Sequence, residues 1–190
     1  MILATNNKDK LREIKEIFKE YEIYSLKDKN INIDVLEDKD SFYENALKKA
    51  KEIYEISKEP VIADDSGLCI NELDDFPGVL THRFLGEEAS DEDRNLDLIK
   101  RTNSVQDRSA KVICSLVYYD GINCIEGKGV LEGKITVEPR GENGFGFDPI
   151  FELENGKTLA ELTSEEKNKL SARYLSAIDL KEKLKNQSKI

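Results

Sequence analysis

Val61-Ile62-Ala63-Asp64-Asp65-Ser66-Gly67 is the stretch on which the reading of the fold turns. Three apolar residues predict a buried strand, and two adjacent aspartates close it. Carboxylates at the end of a buried strand are costly unless something positive sits there. In open α/β sheets, ligands bind beyond the carboxyl ends of the strands. Neighbouring side chains of an extended segment face opposite ways, so the two aspartates are expected to differ in role, one turned to a site and one to structure. An oxygen-donor environment near phosphate suits Mg²⁺, which takes one or two carboxylates and keeps waters and substrate oxygens. Taken alone, the motif is equally an Asx-type turn with capping aspartates.

Upstream, Met1–Ala4 reads as a short buried strand, followed by Thr5-Asn6-Asn7-Lys8-Asp9-Lys10. Leu11, Ile14, Ile17/Phe18 and Tyr21 recur at helical spacing, which predicts a helix over about 8–20. A turn between a strand and a helix start presents backbone N–H groups and the positive end of the dipole, a seat for an anion. It is not a P-loop, and by position alone it is also an ordinary helix cap with solvated lysines. Ile23–Tyr24 and Ile31–Leu36 are further strand candidates. Ser41 and Glu44 form a capping-box pattern opening a helix to about Ser57.

Downstream, Leu68–Ile70 continues the strand after Gly67, and Ser90 followed by three acidic residues opens a helix through Ile99. Ala110–Tyr119 alternates with period two, Asp120-Gly121 turns the chain, and Ile122–Leu131 returns as a hairpin. The segment Pro139-Arg140-Gly141-Glu142-Asn143-Gly144-Phe145-Gly146-Phe147-Asp148-Pro149 lets backbone approach a ligand, with Phe145 or Phe147 able to stack on a base and Asp148 to accept from base or sugar. A connecting loop with buried aromatics is the alternative. Thr163 and Glu166 form another capping box, and a last helix runs through Leu175, Ile178 and Leu184. Lys167 and Arg173 lie six apart and do not stack on one unbroken helix, so either the helix breaks or a ligand spans them. Strands alternating with helices, then a long hairpin, predict an α/β fold: a mixed β-sheet flanked by helices, in two lobes with a cleft.

The 190 residues carry 29 Lys+Arg against 39 Asp+Glu, a net charge of −10. That balance argues against nucleic acid as partner, but not against a small phosphorylated ligand. One histidine, His82, excludes sites that need two and lies outside a nucleophile motif. Cys69, Cys114 and Cys124 lack metal spacing and read as reduced thiols. No run reaches the about 20 apolar residues of a membrane span, so a soluble cytoplasmic protein is expected.

In this order, the segments resemble the inosine triphosphate pyrophosphatase family. The most specific pieces are Ala63-Asp64-Asp65-Ser66-Gly67-Leu68, Gly144-Phe145-Gly146-Phe147-Asp148-Pro149-Ile150-Phe151, and Lys157-Thr158 with Ala160-Glu161-Leu162-Thr163. Phe42-x-Glu44-Asn45-Ala46 with Lys49-Ala50, and Pro77-Gly78 with Arg83, add to it. The resemblance implies one domain over 1–190 with an elongated mixed sheet, two lobes and a central active-site cleft. It also implies a homodimer and hydrolysis of aberrant purine nucleoside triphosphates with Mg²⁺. It puts phosphate contacts on Thr5, Asn7, Lys10 and Lys49, the proton acceptor and metal ligand on Asp65, a second metal ligand on Glu37, and a substrate contact on Ser66. Phe145, Gly146, Phe147, Asp148, Lys167 and Arg173 match base and sugar contacts. The turn residues Asn6, Lys8 and Asp9 and the helix-start residue Ala172 complete the expected site. Asn6 stands where the family usually has Gly, and Ala172 where it usually has His. A phosphatase, or a nucleotide sensor without turnover, are the competing readings.

Overall fold

The computed structural model describes residues 1–86 and 88–187; the side chains of Asp9 and Gln187 lie outside the described residues. Among these residues seven strands make one sheet: β1 (Ile2–Leu3), β2 (Tyr24–Ser25), β3 (Val61–Ile70), β4 (Phe76–Pro77), β5 (Ser109–Tyr119), β6 (Cys124–Ile135) and β7 (Phe151–Glu152). The order is β2-β1-β3-β5-β6-β7, with β4 on β3. β1 is parallel to β2 and β3, while β4 and β7 pair antiparallel with β3 and β6. Among the described residues five α-helices accompany it: α1 (Lys8–Ile17), α2 (Phe42–Ser57), α3 (Asp91–Thr102), α4 (Ser164–Lys167) and α5 (Ala172–Gln187). The mixed α/β expectation holds.

The chain forms two compact units. The first comprises residues 1–66, 114–129 and 172–190, and the second residues 67–113 and 130–171. In the first unit, strand alternation builds two cores. Ile2, Val61, Ala63 and Val117 pack with Ala46, Ala50 and Ile53 of α2. Leu3, Ile62 and Leu116 pack with Ile14 and Phe18 of the α1 segment and with Ala177 and Leu180 of α5. Each strand therefore feeds one side chain to α2 and the next to α1 and α5, the period-two consequence of the pleat. α5 lies close to β6: a Cβ on Gly127 would collide with the Ser176 carbonyl oxygen, and one on Gly129 with that of Ala172. Only glycine admits a backbone that near.

Several local expectations need correction. β3 does run on through Leu68–Ile70, and without a break, so both aspartates lie within the strand rather than closing it. Ile31–Leu36 is not a strand. Ile31, Ile33 and Val35 pack against the α2-side core, so the alternation is real, but it reports packing rather than pairing. α1 stops at Ile17, where Phe18 turns into the core and Tyr21 N–H closes a turn on the Phe18 carbonyl. β2 lies at Tyr24–Ser25, one residue beyond the expected pair, and β6 starts at Cys124 and extends past Leu131 to Ile135. Ser41 caps α2 by accepting from Glu44 N–H, but the Glu44 carboxylate accepts from the Ser41 hydroxyl rather than from its backbone. The boxes at Ser90–Asp93 and Thr163–Glu166 are complete.

Candidate active site

In the first unit the site begins where β1 hands over to α1. The Thr5 hydroxyl accepts from Asn7 N–H (3.1 Å), and Asn7 Oδ1 accepts from Lys10 N–H (3.2 Å). Two orphan amides of the turn are thereby used to shape it, and the side chains of Asn6 and Lys8 are exposed. Positive φ at non-glycine residues falls on Asn30, Lys58, Asp74 and Asp75 among the described residues, so Asn6 makes this turn without it.

Asp64 and Asp65 point to opposite faces of β3, as adjacent strand residues must. Asp64 joins the α1/α5 side. Lys10 Nζ is 2.9 Å from its Oδ2, and Arg173 Nε is 3.4 Å from the same oxygen. Arg173 Nη1 also donates to Glu13 Oε2 at 2.8 Å. Burial alone would raise the pKa of Asp64, but Lys10, Arg173 and Lys49 hold it well below the usual carboxylate range. Burial likewise opposes the charge on Arg173, and Asp64 and Glu13 more than restore it, so its pKa is raised.

Asp65 joins the α2 side and is 5% exposed. Asn45 Nδ2 donates to its Oδ2 at 3.0 Å, and Ser66 N–H donates to its Oδ1 at 2.9 Å. Lys49 Nζ donates to Glu37 Oε1 at 2.5 Å and to the Asp64 carbonyl oxygen. Burial first, then the negative charge of Glu37 and Asp64, pushes Asp65 up to about 6 against the pull of Lys49 and Asn45. Lys49 is raised: burial opposes its charge, and Asp64, Glu37 and Asp65 together outweigh that.

Among the described residues, no three His, Cys, Asp or Glu side chains gather as a metal nest. The pair Glu37 and Asp65 nevertheless fits a hard divalent cation. Both are oxygen donors, and their mutual repulsion is what such an ion relieves; Mg²⁺ characteristically takes one or two carboxylates.

In the second unit, the glycine-rich segment builds a different cluster. Asp148 Oδ2 accepts from Phe145 N–H (2.8 Å) and from Lys167 Nζ (2.5 Å), and Asp148 is 3% exposed. The Lys167 ammonium sits 4.5 Å from the Phe145 ring centroid. Phe147 meets Phe151 edge-on, with centroids 6.4 Å apart. Gly144 and Gly146 have φ of +79° and +62°, which a non-glycine side chain rarely adopts. α4 stops at Lys167, and Ser171 N–H closes on the Lys167 carbonyl before α5 begins, so the helix does break between Lys167 and Arg173.

Thr5, Asn7, Lys10, Glu37, Lys49, Asp65, Ser66, Ala172 and Arg173 thus belong to the first unit, and Phe145, Gly146, Phe147, Asp148 and Lys167 to the second. Arg173 is buried and bound to Asp64 and Glu13. Ala172 is buried at the start of α5, and the expected Asp9 side chain lies outside the described residues. Two participants have no role in the sequence patterns: Asn45 stands there only as a motif residue, and Glu13 not at all. Asn45 shares a helical row with Lys49 and Ile53, and Glu13 lies three residues after Lys10 and four before Ile17. A polar residue inside a buried row is the signal that would have found both.

Comparison with known proteins agrees with the geometry. The Ham1 family model matches residues 1–183. A dITP/XTP pyrophosphatase of Thermoanaerobacter sp. (strain X514) is 47% identical over 188 residues, covering 95% of this chain and 94% of the relative. One from Aquifex aeolicus (strain VF5) is 41% identical over 199 residues, covering 100% and 98%. The solved HAM1 protein of Coxiella burnetii superposes with a TM-score of 0.91 at 35% identity, over 97% of this chain and 98% of that one. The Staphylococcus aureus Ham1 protein gives 0.91 at 33%, over 98% of each. Among the described residues no helix is long and apolar enough to cross a membrane. With the family model spanning nearly its whole length, the chain belongs to the Ham1 family.

Proposed function

We propose that the chain hydrolyses aberrant purine nucleoside triphosphates (ITP, dITP and XTP) to the monophosphate and pyrophosphate. The observation that carries the reading is the split between the two aspartates. Asp64 is neutralised by Lys10 and Arg173, while Asp65, on the opposite face of β3, is held by Asn45 and the Ser66 amide, with the Lys49–Glu37 pair on its own side. A carboxylate held in place by hydrogen bonds at the site can accept a proton from an attacking water.

In this reading water attacks the α-phosphorus, Asp65 takes its proton, the α–β phosphoanhydride breaks, and pyrophosphate leaves. Lys49 and Lys10 supply positive charge to the phosphates, each ammonium already oriented by a carboxylate. The turn at Thr5–Lys10 seats the phosphate chain at a helix start. Glu37 and Asp65 would hold Mg²⁺, whose contribution when bound is to neutralise phosphate charge and orient the phosphate oxygens. The Phe145–Asp148 segment and Lys167 would read the base. A 6-keto purine offers an acceptor at O6, and a pocket that donates there leaves the amino group of adenine unpaired, a mismatch that rejects strongly. A homodimer acting on the cytoplasmic nucleotide pool completes the reading, its assembly measurable by analytical ultracentrifugation.

The test is a panel of ITP, XTP, dITP, ATP and GTP with Mg²⁺, products identified by ³¹P NMR. Pyrophosphate from the first three, far above the last two, is expected. Orthophosphate as the product means a phosphatase, and bound nucleotide without product means a sensor; either outcome, or equal turnover of all five, overturns the proposal.

A further inference from the structure

We infer that Asn95 and Asp91 of α3 are positioning residues for base selection, acting through the backbone N–H and C=O of Gly146; this rests on the function just proposed. Asn95 Nδ2 donates to the Gly146 carbonyl oxygen at 2.9 Å, and Gly146 N–H donates to Asp91 Oδ2 at 3.1 Å. The two side chains are four residues apart on one helix and so lie on the same face, one turn from each other. They take the N–H and the C=O of one residue, groups that belong to the two peptide units flanking its Cα.

The consequence for Gly146 runs against its expected role as a direct ligand contact. Its N–H and its C=O are each engaged by α3, so its work is to present Phe145 on one side and Phe147 and Asp148 on the other. The clamp holds a residue whose φ of +62° gives the segment its direction. Asn95 is 5% exposed although its partner is a loop residue fifty-one positions away, and a buried amide is tolerated when its hydrogen bond is made. Asp91 stands in the first turn of α3 beside the N-cap Ser90, whose capping box with Asp93 fixes where that turn begins. A rigid helix start therefore carries the register of an otherwise irregular, glycine-directed segment. Phe145 follows directly: its N–H is held by Asp148, whose carboxylate also takes Lys167, so a rotation at Gly146 disturbs ring, carboxylate and ammonium together. Positional error of this kind at a recognition surface lowers discrimination between bases more than it lowers the phosphate chemistry, which rests on Asp65, Lys49 and Glu37.

The experiment measures kcat/KM for ITP and for ATP, by pyrophosphate release, in wild type, Asn95→Asp, Asn95→Ala, Asp91→Ala and Asp91→Asn. Asn95→Asp preserves shape while replacing the donor with an acceptor facing a carbonyl. A loss of folded protein alone scales both substrates equally and leaves their ratio unchanged. The ITP/ATP ratio is expected to fall about tenfold in both Asn95 variants, the size of one lost buried hydrogen bond. The change should appear mainly in KM for ITP. Asp91→Ala should move the ratio the same way, and Asp91→Asn, which keeps an oxygen acceptor, should keep more of it. An unchanged ratio in Asn95→Asp and Asn95→Ala overturns the inference, as does an equal fall in kcat for both substrates. A wild type that releases no pyrophosphate from ITP fails the proposed function instead, so the two failures are distinguishable.

Discussion

Two buried carboxylates, Asp64 and Asp148, each hold a lysine, yet they are built by opposite means. Asp64 sits inside a ten-residue strand and meets Lys10 from α1 and Arg173 from α5, elements whose geometry is set by long runs of backbone hydrogen bonds. Asp148 sits at the end of a segment turned by glycines at positive φ, and its lysine comes from the four-residue α4. Regular scaffolding serves the charge-handling cluster, where a fixed field is needed. Irregular backbone serves the cluster proposed to read the base, where a close approach is needed and glycine permits it.

The largest effect is expected at the centre of the first cluster. Asp65→Asn removes the proposed base and should lower kcat for ITP by about 10²–10⁴-fold, the usual worth of general-base assistance. Steady-state pyrophosphate release measures it, and an unchanged kcat removes Asp65 from that role. Asp64→Asn attacks the scaffold instead. It leaves Lys10 and Arg173 without their shared carboxylate, and breaking a buried ion pair costs about 3–5 kcal/mol. Urea unfolding should register that loss of stability; a midpoint equal to wild type would show that Glu13 alone suffices for Arg173.

In the second cluster, Lys167→Met removes one of the groups holding Asp148 and the cation over Phe145. kcat/KM for ITP should fall roughly 10–100-fold, in line with a charged hydrogen bond of about 1.5–3 kcal/mol. If kcat for ITP and ATP fell together with KM unchanged, the assignment of this cluster to the base would be wrong. Ser90→Ala is the mildest change. Loss of an N-cap side chain costs about 1 kcal/mol, so the melting temperature should drop by a few degrees, with the ITP/ATP ratio following only if α3 frays as far as Asp91.

Legibility in the sequence followed the same division. Amphipathic spacing identified α1 through Leu11, Ile14 and Phe18, and the capping residues Ser41, Ser90 and Thr163 marked three helix starts. Patterns of that kind are local, and a local pattern is all that a single chain displays. The opposite facing of Asp64 and Asp65 was also readable, because the pleat dictates it. What could not be read was partnership over distance: Glu13 meets Arg173 across 160 positions, and no spacing rule connects them. Ile31–Leu36 misled for a related reason. Alternation records which side chains are buried, and burial there is against α2 rather than within a ladder. The resemblance supplied Glu37 and Lys49, which periodicity alone would have left as surface charges.

Gly127 and Gly129 carry an evolutionary consequence. Because the carbonyl oxygens of Ser176 and Ala172 occupy the space of their missing Cβ atoms, even one added methyl group on β6 must push the start of α5 away from the strand. That start bears Arg173. A mutation at a position with no charge, no side chain and no proposed ligand contact would therefore disable the enzyme by displacing a charge it never touches. In a survey of tolerated substitutions, these two glycines should be among the most intolerant positions of the chain, as silent to a chemist reading side chains as they are strict to selection.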